Sequence, residues 1–262
     1  MPVHDDLGKR MKEYYEQIPK TRLMRRCPVA LRIDGKAFHT FTRGFKKPFD
    51  EILMKSMQET MKYLCENIQG CVFGYTQSDE ITLILVDYKK LNSGAWFDYE
   101  VQKMCSIGAS MATMAFNREF AHQVRSYKEN HDRLNLYKDD YYKTIYNAAM
   151  KGAMFDCRCF NIPKEEVTNL VYWRQIDAAR NNIQMVGRAY FSHNQLNNKN
   201  TSAIQDMLMD QFGVNWNDFP TFQKRGTTCI KRETGWEIDT NMPMLKNEDR
   251  SYVDDLINAE EE

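Results

Sequence analysis

The sequence predicts an α+β protein with a ferredoxin-like core, whose elements follow the order strand–helix–strand–strand–helix–strand. Three observations predict this order. An alternating strand run precedes a stripe of apolar residues at helical spacing, two further strand runs are joined by a tight turn, and a second long helical stretch leads into a fourth strand run. This order is the split βαβ arrangement.

The first strand is predicted over residues 28–34. Val29, Leu31 and Ile33 share one face, and the residues between them share the other. Gly35 follows the strand, and glycine permits a turn that a β-branched residue would resist.

The first helix of the core is predicted over about 50–69. Asp50 occupies the position of an N-cap, and Gly70 can end the helix in the left-handed conformation. An apolar stripe at helical spacing lies between them: Leu53, Met57, Met61, Leu64 and Ile68.

Two strands follow over 71–77 and 80–87. Apolar side chains occupy both faces of the second one, which predicts a central strand covered on both sides. A long helix is then predicted over roughly 96–126, and a strand over 153–162 that Pro163 closes.

The rest of the chain is predicted to extend this core. A strong helix starts near Lys164, and Ser202 with Gln205 forms a capping box for a last helix that Gly213 ends. The acidic C-terminal residues are expected to form a solvated tail.

The predicted order is also that of the polymerase palm. We expect residues 1–162 to form a palm-like catalytic core. Residues 163–262 are expected to form a helical and C-terminal extension packed on the core, so that both parts make one continuous structural unit. Fold alone does not define function.

Composition excludes several classes of protein. The chain of 262 residues has 36 basic and 36 acidic residues, so nucleic-acid binding would need a local patch, such as 20–26 or 223–233. The seven cysteines lack the spacing of a zinc site and are expected to be free thiols in a reducing compartment. Since no signal peptide or long apolar stretch is present, we expect a soluble cytoplasmic protein with no membrane segment.

Three carboxylates are predicted to meet at one edge of the sheet. Asp34 ends the first strand, and Asp79 and Glu80 lie in the turn into the third, which the topology places beside the first. Unpaired carboxylates raise one another's pKa, and divalent cations relieve the repulsion. Oxygen-rich sites suit Mg²⁺, and two such ions serve phosphoryl transfer. Alternatively, Asp-Gly is a common turn and "SDE" could be a polar hairpin tip.

The loop after the first strand favours anion binding, because a turn there would expose backbone N–H groups that can cradle phosphate. Taken singly, His39 and Lys47 are better explained as a loop histidine and a solvated lysine. No Walker motif and no H-E-x-x-H motif occurs, which disfavours a P-loop NTPase and a zinc hydrolase. The residues expected near a bound phosphate are Gly35, Lys36, Ala37, Phe38, His39 and Lys47.

Three segments carry a resemblance to a known family: "RIDGKAFHTFTRGFKKPFD", "GYTQSDEITLIL" and "FDCRCFNIP" with the following "YWRQIDAARNN". Together they resemble the tRNA-histidine guanylyltransferase superfamily, whose members extend RNA in the 3′-to-5′ direction on a polymerase-like palm. The resemblance runs from about residue 5 to about residue 230. Its R-x-D-G-x-x-F-H and Q-S-D-E motifs, in this order and spacing, are highly specific.

The resemblance implies roles for individual residues. Asp34, the Gly35 carbonyl and Asp79 match the ligands of two Mg²⁺ ions, and Glu80 matches an adjacent essential acid. The residues matched to nucleotide or triphosphate contacts are Lys47, Asp50, Ser78, Lys103 and Arg158. Those expected to contact RNA are Arg32, Asn181, Asn182, Lys199, Lys224 and Arg225.

One departure from the family pattern indicates a branch. Eukaryotic enzymes carry "HINNLYN" after the W-R-Q motif, whereas this chain has Ala179 at the His position and Met185 at the last Asn position. This is similar to bacterial and archaeal guanylyltransferase-like proteins, which restore 5′-truncated tRNAs by template-directed addition. The resemblance implies ATP- or GTP-dependent activation of a tRNA 5′ end, attack by the 3′-OH of an NTP, and a homotetramer.

Three other functions stay open at this point. One is addition of G at position −1 of tRNA-histidine. Another is a nucleotidyl cyclase, which uses the same palm, although no "GGDEF"-like turn is present. The third is an RNA-binding module with a vestigial palm, which clustered carboxylates disfavour because they repel a polyanion.

Overall fold

The computed structural model describes residues 5–130 and 139–258. Its centre is a six-stranded antiparallel sheet, in which strands occur in the order β4-β1-β3-β2-β5-β6. The first four strands have the ferredoxin-like order and confirm the predicted fold class. The strands are β1 Val29–Gly35, β2 Cys71–Gln77, β3 Glu80–Leu85, β4 Phe155–Asn161, β5 Thr227–Arg232 and β6 Gly235–Asp239.

Helices pack on both faces of this sheet. The helices of the described residues are α1 Asp6–Met11, α2 Phe38–Phe41, α3 Glu51–Asn67, α4 Val101–Glu129, α5 Asp140–Lys151, α6 Lys164–Tyr190, α7 His193–Leu196, α8 Thr201–Phe212, α9 Thr221–Arg225 and α10 Ser251–Ile257. A π-helical turn, Lys12–Glu16, continues α1, and short 3-10 turns span Trp96–Tyr99, Trp216–Asp218 and Asn247–Arg250. None of these helices is long and apolar enough to cross a membrane.

The alternation of β1 divides the interior into two layers. Val29, Leu31 and Ile33 face the core formed with α3 and α4, whereas Ala30 faces the core formed with α6 and α10. Strand β3 lies between β1 and β2 and contributes to both cores, as its apolar faces predicted.

The predicted cap of α3 is confirmed. The Asp50 carboxylate accepts a hydrogen bond from the Leu53 N–H at 3.0 Å, and Gly70 has a φ of 80° two residues after the C-cap. These two residues fix where the helix begins and where the chain turns into β2.

The predicted start of the long helix at residue 96 is wrong, because α4 begins at Val101. Residues 97–99 have positive φ angles, and the backbone before α4 pairs with an earlier segment instead. Arg22 and Glu100 form a β-bridge, and the Leu23 N–H donates to the Tyr99 carbonyl at 3.0 Å.

The C-terminal half differs from the prediction in three ways. The N-cap of α8 is Asn200 rather than Ser202, since its side chain accepts from the Ala203 N–H. The extension adds β5 and β6 to the sheet, two strands that the predicted helical and C-terminal extension does not include. Helix α10 buries Val253 and Ile257, so the acidic stretch is not a solvated tail up to that point; residues 259–262 lie outside the described residues.

Replacement of Gly70 by alanine is expected to lower the free energy of unfolding by about 2–4 kcal/mol. A Cβ there would lie 2.7 Å from the Val86 carbonyl oxygen, and the φ of 80° is unfavourable for alanine. Gly213→Ala is the matched control, because its φ is 65° but a Cβ would meet no atom within 4 Å. Urea unfolding should show a loss of only about 1 kcal/mol for the control; equal losses would show that the Val86 contact is unimportant.

Candidate active site

The end of β1 and the β2–β3 turn meet as predicted. Asp34 pairs in register with Glu80, and the Gly35 N–H donates to the Asp79 carbonyl oxygen at 3.0 Å. Ser78 has a φ of 55°, which tightens the turn, and its hydroxyl donates to Asp79 Oδ1 at 3.0 Å. The backbone therefore holds the two aspartates at one edge of the sheet.

Glu80 is paired with two arginines, unlike the other two carboxylates. Its Oε2 accepts from Arg32 Nη2 at 2.7 Å and from Arg174 Nη2 at 2.9 Å, while Arg174 Nε lies 2.9 Å from Oε1. The side chain is 14% exposed, so this double ion pair is largely shielded from solvent. The expected convergence of three free carboxylates is corrected to two, because arginines from β1 and α6 neutralise the third.

Asp34 and Asp79 are the two carboxylates that remain for a cation. Burial raises the pKa of the Asp79 carboxyl, and the negative charges of Asp34 and Glu80 add to that rise, against the hydrogen bond from Ser78. Among the described residues, no group of three or more His, Cys, Asp or Glu side chains is arranged to hold a metal ion. Two carboxylates fit Mg²⁺ nonetheless, since this ion takes one or two of them and completes its ligands with phosphate oxygens and water.

Arg158 lies on the same face of the sheet as Asp34. It pairs in register with Arg32, and its guanidinium is 4.0 Å from Asp34 and 3.4 Å from Asp156. These exposed groups form a charged surface next to the two aspartates.

A cleft of about 760 Å³ opens beside the β2–β3 turn. Its lining includes more cations than anions, with Arg43, Lys46, Lys47 and Arg188 against the carboxylates of Asp50 and Asp79. The volume suits a nucleotide, and the charge suits its phosphates. The predicted site residues that line it are Gly35, Ala37, Phe38, His39, Lys47, Asp50, Ser78, Asp79 and Asn182.

The loop after β1 has fewer free backbone N–H groups for phosphate than predicted. The Gly35 and Lys36 N–H groups are occupied, since they donate to the carbonyls of Asp79 and Met154. Ala37 has a φ of 54° and begins the short helix α2. Phe38 is buried, and its ring packs against core aromatic rings such as Phe116.

Asp50 has all its oxygens engaged within the protein. One accepts from Leu53, and the other accepts from the Lys46 N–H at 3.0 Å and from the Tyr141 hydroxyl at 2.8 Å. Its side chain therefore holds the cleft loop against α3 and α5, and a contact with nucleotide would be additional.

Asn182 is also placed differently from an exposed RNA contact. It is fully buried, and its amide donates to the carbonyls of Gln223 and Lys224 while accepting from Gln77 Nε2. It joins α6 to β2 and α9. Asn181 lies on the exposed side of α6, 3.4 Å from Asp177.

The basic segment 20–26 is partly committed to internal ion pairs. Arg25 binds the buried Asp87 at 2.6 Å and Asp98 at 2.7 Å, and Arg22 also binds Asp98. This segment therefore anchors the chain before β1 more than it forms a free cationic surface.

The second basic segment, 223–233, is partly bound to other residues of the protein. The Lys224 ammonium donates to the Asn217 carbonyl and lies 5.6 Å from the Trp216 ring centroid. Burial, with the nearby charge of Arg225, lowers the pKa of Lys224. The other predicted phosphate contacts, Lys103 on α4 and Lys199 after α7, do not line the cleft.

Sequence reasoning missed several contributors to the site. Arg174 is one of them, and its i,i+3 spacing to Asp177 is the signal in the sequence that indicates an ion pair there. Tyr141 could not be connected to Asp50 across 91 residues of sequence. Arg43 and Arg188 carried no local pattern that distinguished them from solvated cations.

A ferredoxin-like sheet with two carboxylates at its edge and a cationic cleft beside them defines a palm-type nucleotidyltransferase. Comparison with known proteins gives the family. Residues 8–163 match the family model described as "Thg1: tRNAHis guanylyltransferase". The chain belongs to this family, which confirms the resemblance.

The chain is similar to solved and unsolved relatives over most of its length. A bacterial tRNA(His) guanylyltransferase-like protein in complex with ATP is 40% identical, with a TM-score of 0.81 and coverage of 96% of this chain and 99% of that one. A bacterial protein of the same description, in complex with GTP, is 35% identical with a TM-score of 0.72 and the same coverage. An uncharacterised protein of Acanthamoeba polyphaga mimivirus, R259, is 28% identical over 88% of this chain and 78% of its own length.

Arg174→Ala is expected to lower the free energy of unfolding by about 2–4 kcal/mol, because it leaves Glu80 shielded with one partner fewer. Arg158→Ala is the matched control, since the Arg158 side chain is 57% exposed and its ion pairs are long. Urea denaturation should show less than about 1 kcal/mol for the control. Equal stability of the two variants would contradict the central role of the Glu80 ion pairs.

Proposed function

We propose that this protein adds nucleotides in the 3′-to-5′ direction to the 5′ end of truncated tRNA, with a base-paired strand as template. The observation that carries the proposal is the position of Asp34 and Asp79 beside a cationic cleft of nucleotide size. Two similar bacterial proteins, solved with ATP and with GTP, support a nucleotide as the occupant of this region.

The reaction would proceed through two transfers at one site. In the first, an oxygen of the tRNA 5′-monophosphate attacks the α-phosphorus of ATP or GTP, and pyrophosphate leaves. In the second, the 3′-oxygen of an incoming NTP attacks the 5′-phosphorus of the activated end, its proton goes to solvent, and the nucleoside monophosphate leaves. The new 5′ end then carries the triphosphate of the added nucleotide.

The residues that would hold Mg²⁺ are Asp34, Asp79 and the Gly35 carbonyl. Bound there, the metal would supply charge for the phosphate oxygens and lower the pKa of an attacking hydroxyl. Glu80 is excluded as a direct ligand by its two arginines and instead positions Arg32 and Arg174.

Cations of the chain would neutralise the phosphates during both transfers. Lys47 and Arg188 line the cleft, and Arg158 lies 4.0 Å from Asp34 on the adjoining face. Charges fixed before the reaction stabilise the negative charge that develops on a transferring phosphate. Lys103 and Lys199 would act only on a more distant part of a long substrate.

Template-directed addition is favoured because two glutamine amides of the cleft lining are already hydrogen-bonded within the protein. Gln77 donates to Asn182 and Gln58 donates to Thr227, each at 3.0 Å. Met185 replaces an amide at a position that lines the cleft. Such a lining would favour phosphate through its cations, while these two amides would be less available to select one base.

RNA contacts are proposed outside the cleft, on exposed parts of α6 and α9. Asn181 on α6 and the Lys224–Arg225 pair at the end of α9 flank the buried Asn182. Arg32 is bound to Glu80, so its contribution to RNA would be indirect.

Assembly as a homotetramer remains a prediction. Met104 on α4 is in the core, whereas Ile107 and Met114 on the same helix are exposed, as are Met150 on α5 and Met154 after it. These exposed apolar residues support an interface between copies. We also propose that core and extension act as one unit, since β5 pairs with β2.

Asp79→Asn should abolish both transfers, with losses of about a hundredfold or more, because the neutral amide is a poor cation ligand. Release of pyrophosphate reports the first transfer, and extension of a 5′-truncated tRNA with labelled GTP reports the second. Asp140→Asn is the control, because this carboxylate is 92% exposed on α5. Wild-type addition by the Asp79 variant would contradict the assignment.

The template requirement can be tested with full-length and 5′-truncated tRNAs and each labelled NTP. We expect the added nucleotide to change with the base opposite the growing end and not with a base changed elsewhere in the acceptor stem. Addition of G whatever the opposing base would instead support the −1 guanylyltransferase activity. Products formed from GTP without RNA would indicate a cyclase.

A further inference from the structure

Helix α6 presents an aromatic side chain to solvent next to the active site. Its buried side, with Val167, Val171 and Ala178, packs on the sheet and neighbouring elements. Trp173 lies on the other side and is 50% exposed. One turn further on, Ile176 is 36% exposed and extends this apolar surface. Core packing does not account for a tryptophan here.

Two guanidinium groups lie against the Trp173 ring. The Cζ atom of Arg174 lies 4.7 Å from the ring centroid, and that of Arg32 lies 5.6 Å from it. Both arginines are held by Glu80, so the ring contacts groups whose positions are fixed. Half of the side-chain surface nevertheless stays open to a ligand.

The position of the ring relates it to the reacting groups. Arg32 precedes Asp34 by two residues on β1, so both side chains point to the same face of the sheet. Arg158 is the register partner of Arg32 and lies 4.0 Å from Asp34. A planar ligand on Trp173 would therefore have its attached phosphates near an exposed arginine and the metal-binding aspartates.

We propose that Trp173 is a stacking platform for a nucleobase of the substrate, either that of an NTP or that of the RNA 5′ end. The proposal rests on the proposed nucleotidyl transfer and adds a binding residue to it. A tryptophan accepts any base because every base has a π face, whereas Arg158 would bind the phosphate. Trp173 is then a base-binding residue, and Glu80 acts through Arg32 and Arg174 to position it.

The test compares Trp173→Leu, Trp173→Phe and the wild type as full chains. The leucine variant removes the aromatic face, and the phenylalanine variant keeps a ring but removes the indole fluorophore. Tyr146→Leu is the control, because Tyr146 is a 45% exposed aromatic residue on α5. The probes are ATP, GTP and a 5′-phosphorylated, 5′-truncated tRNA, each titrated separately by calorimetry and by tryptophan fluorescence.

We expect Trp173→Leu to weaken binding of one probe class about 5- to 150-fold, as base–aromatic stacking of about 1–3 kcal/mol implies. The affected class identifies whether the base comes from the NTP or from RNA. Trp173→Phe should bind within about threefold of the wild type but lose the ligand-dependent fluorescence change. The Tyr146 variant should match the wild type in both measurements.

Wild-type affinity of Trp173→Leu for all three probes would overturn the stacking role and leave the proposed function intact. A Trp173→Phe variant as weak as the leucine variant would also overturn it, because a ring alone should stack. Absence of nucleotide and tRNA binding by the wild-type protein would overturn the proposed function itself. Urea unfolding of each variant separates weakened binding from a loss of folded protein.

Discussion

The antiparallel pairing of β1 with β3 is the constraint on which the rest of the site depends. It places Asp34 opposite Glu80 and lets the Gly35 N–H bind the Asp79 carbonyl. A shift of one residue would turn Asp34 into the apolar core and Ile33 towards the charged surface. Strand β3 is apolar on both faces and cannot specify this register through its own pattern. The alternation of β1 and the Arg32–Glu80 ion pair specify it instead.

The same pairing separates the acidic residues into two electrostatic environments. Glu80 is shielded from solvent and neutralised by Arg32 and Arg174, whose charges offset the unfavourable desolvation of its carboxylate. Asp79 is shielded without such partners, and its pKa is raised as a result. A charge that is destabilised in the free protein is one that a bound cation would stabilise. Adjacent acids in one short motif thus have different environments, one paired with two arginines and the other hydrogen-bonded to Ser78.

The sequence predicted the order of the first four strands and the cap at Asp50, because these depend on local patterns of apolar and capping residues. It did not predict β5 and β6, whose Thr, Lys, Arg and Glu residues give weak alternation, nor the delayed start of α4, which depends on pairing with Arg22. In the site, too, only the features that follow from local patterns and strand order could be predicted. The proximity of Asp34 and Asp79 followed from topology, whereas the partners of Glu80, Asp50 and Asn182 come from distant elements. No local pattern encodes those contacts.

The interactions available at this site bear on how a base would be chosen. The cations of the cleft bind phosphate, which is the same in every nucleotide. Stacking on Trp173 would also accept every base. Two glutamine amides that line the cleft are hydrogen-bonded within the protein, Gln77 to Asn182 and Gln58 to Thr227. Phosphate binding and stacking are both indifferent to the base, so neither would discriminate between nucleotides. In the proposed repair of truncated tRNA ends, a complementary base on the paired strand of the RNA would make that choice.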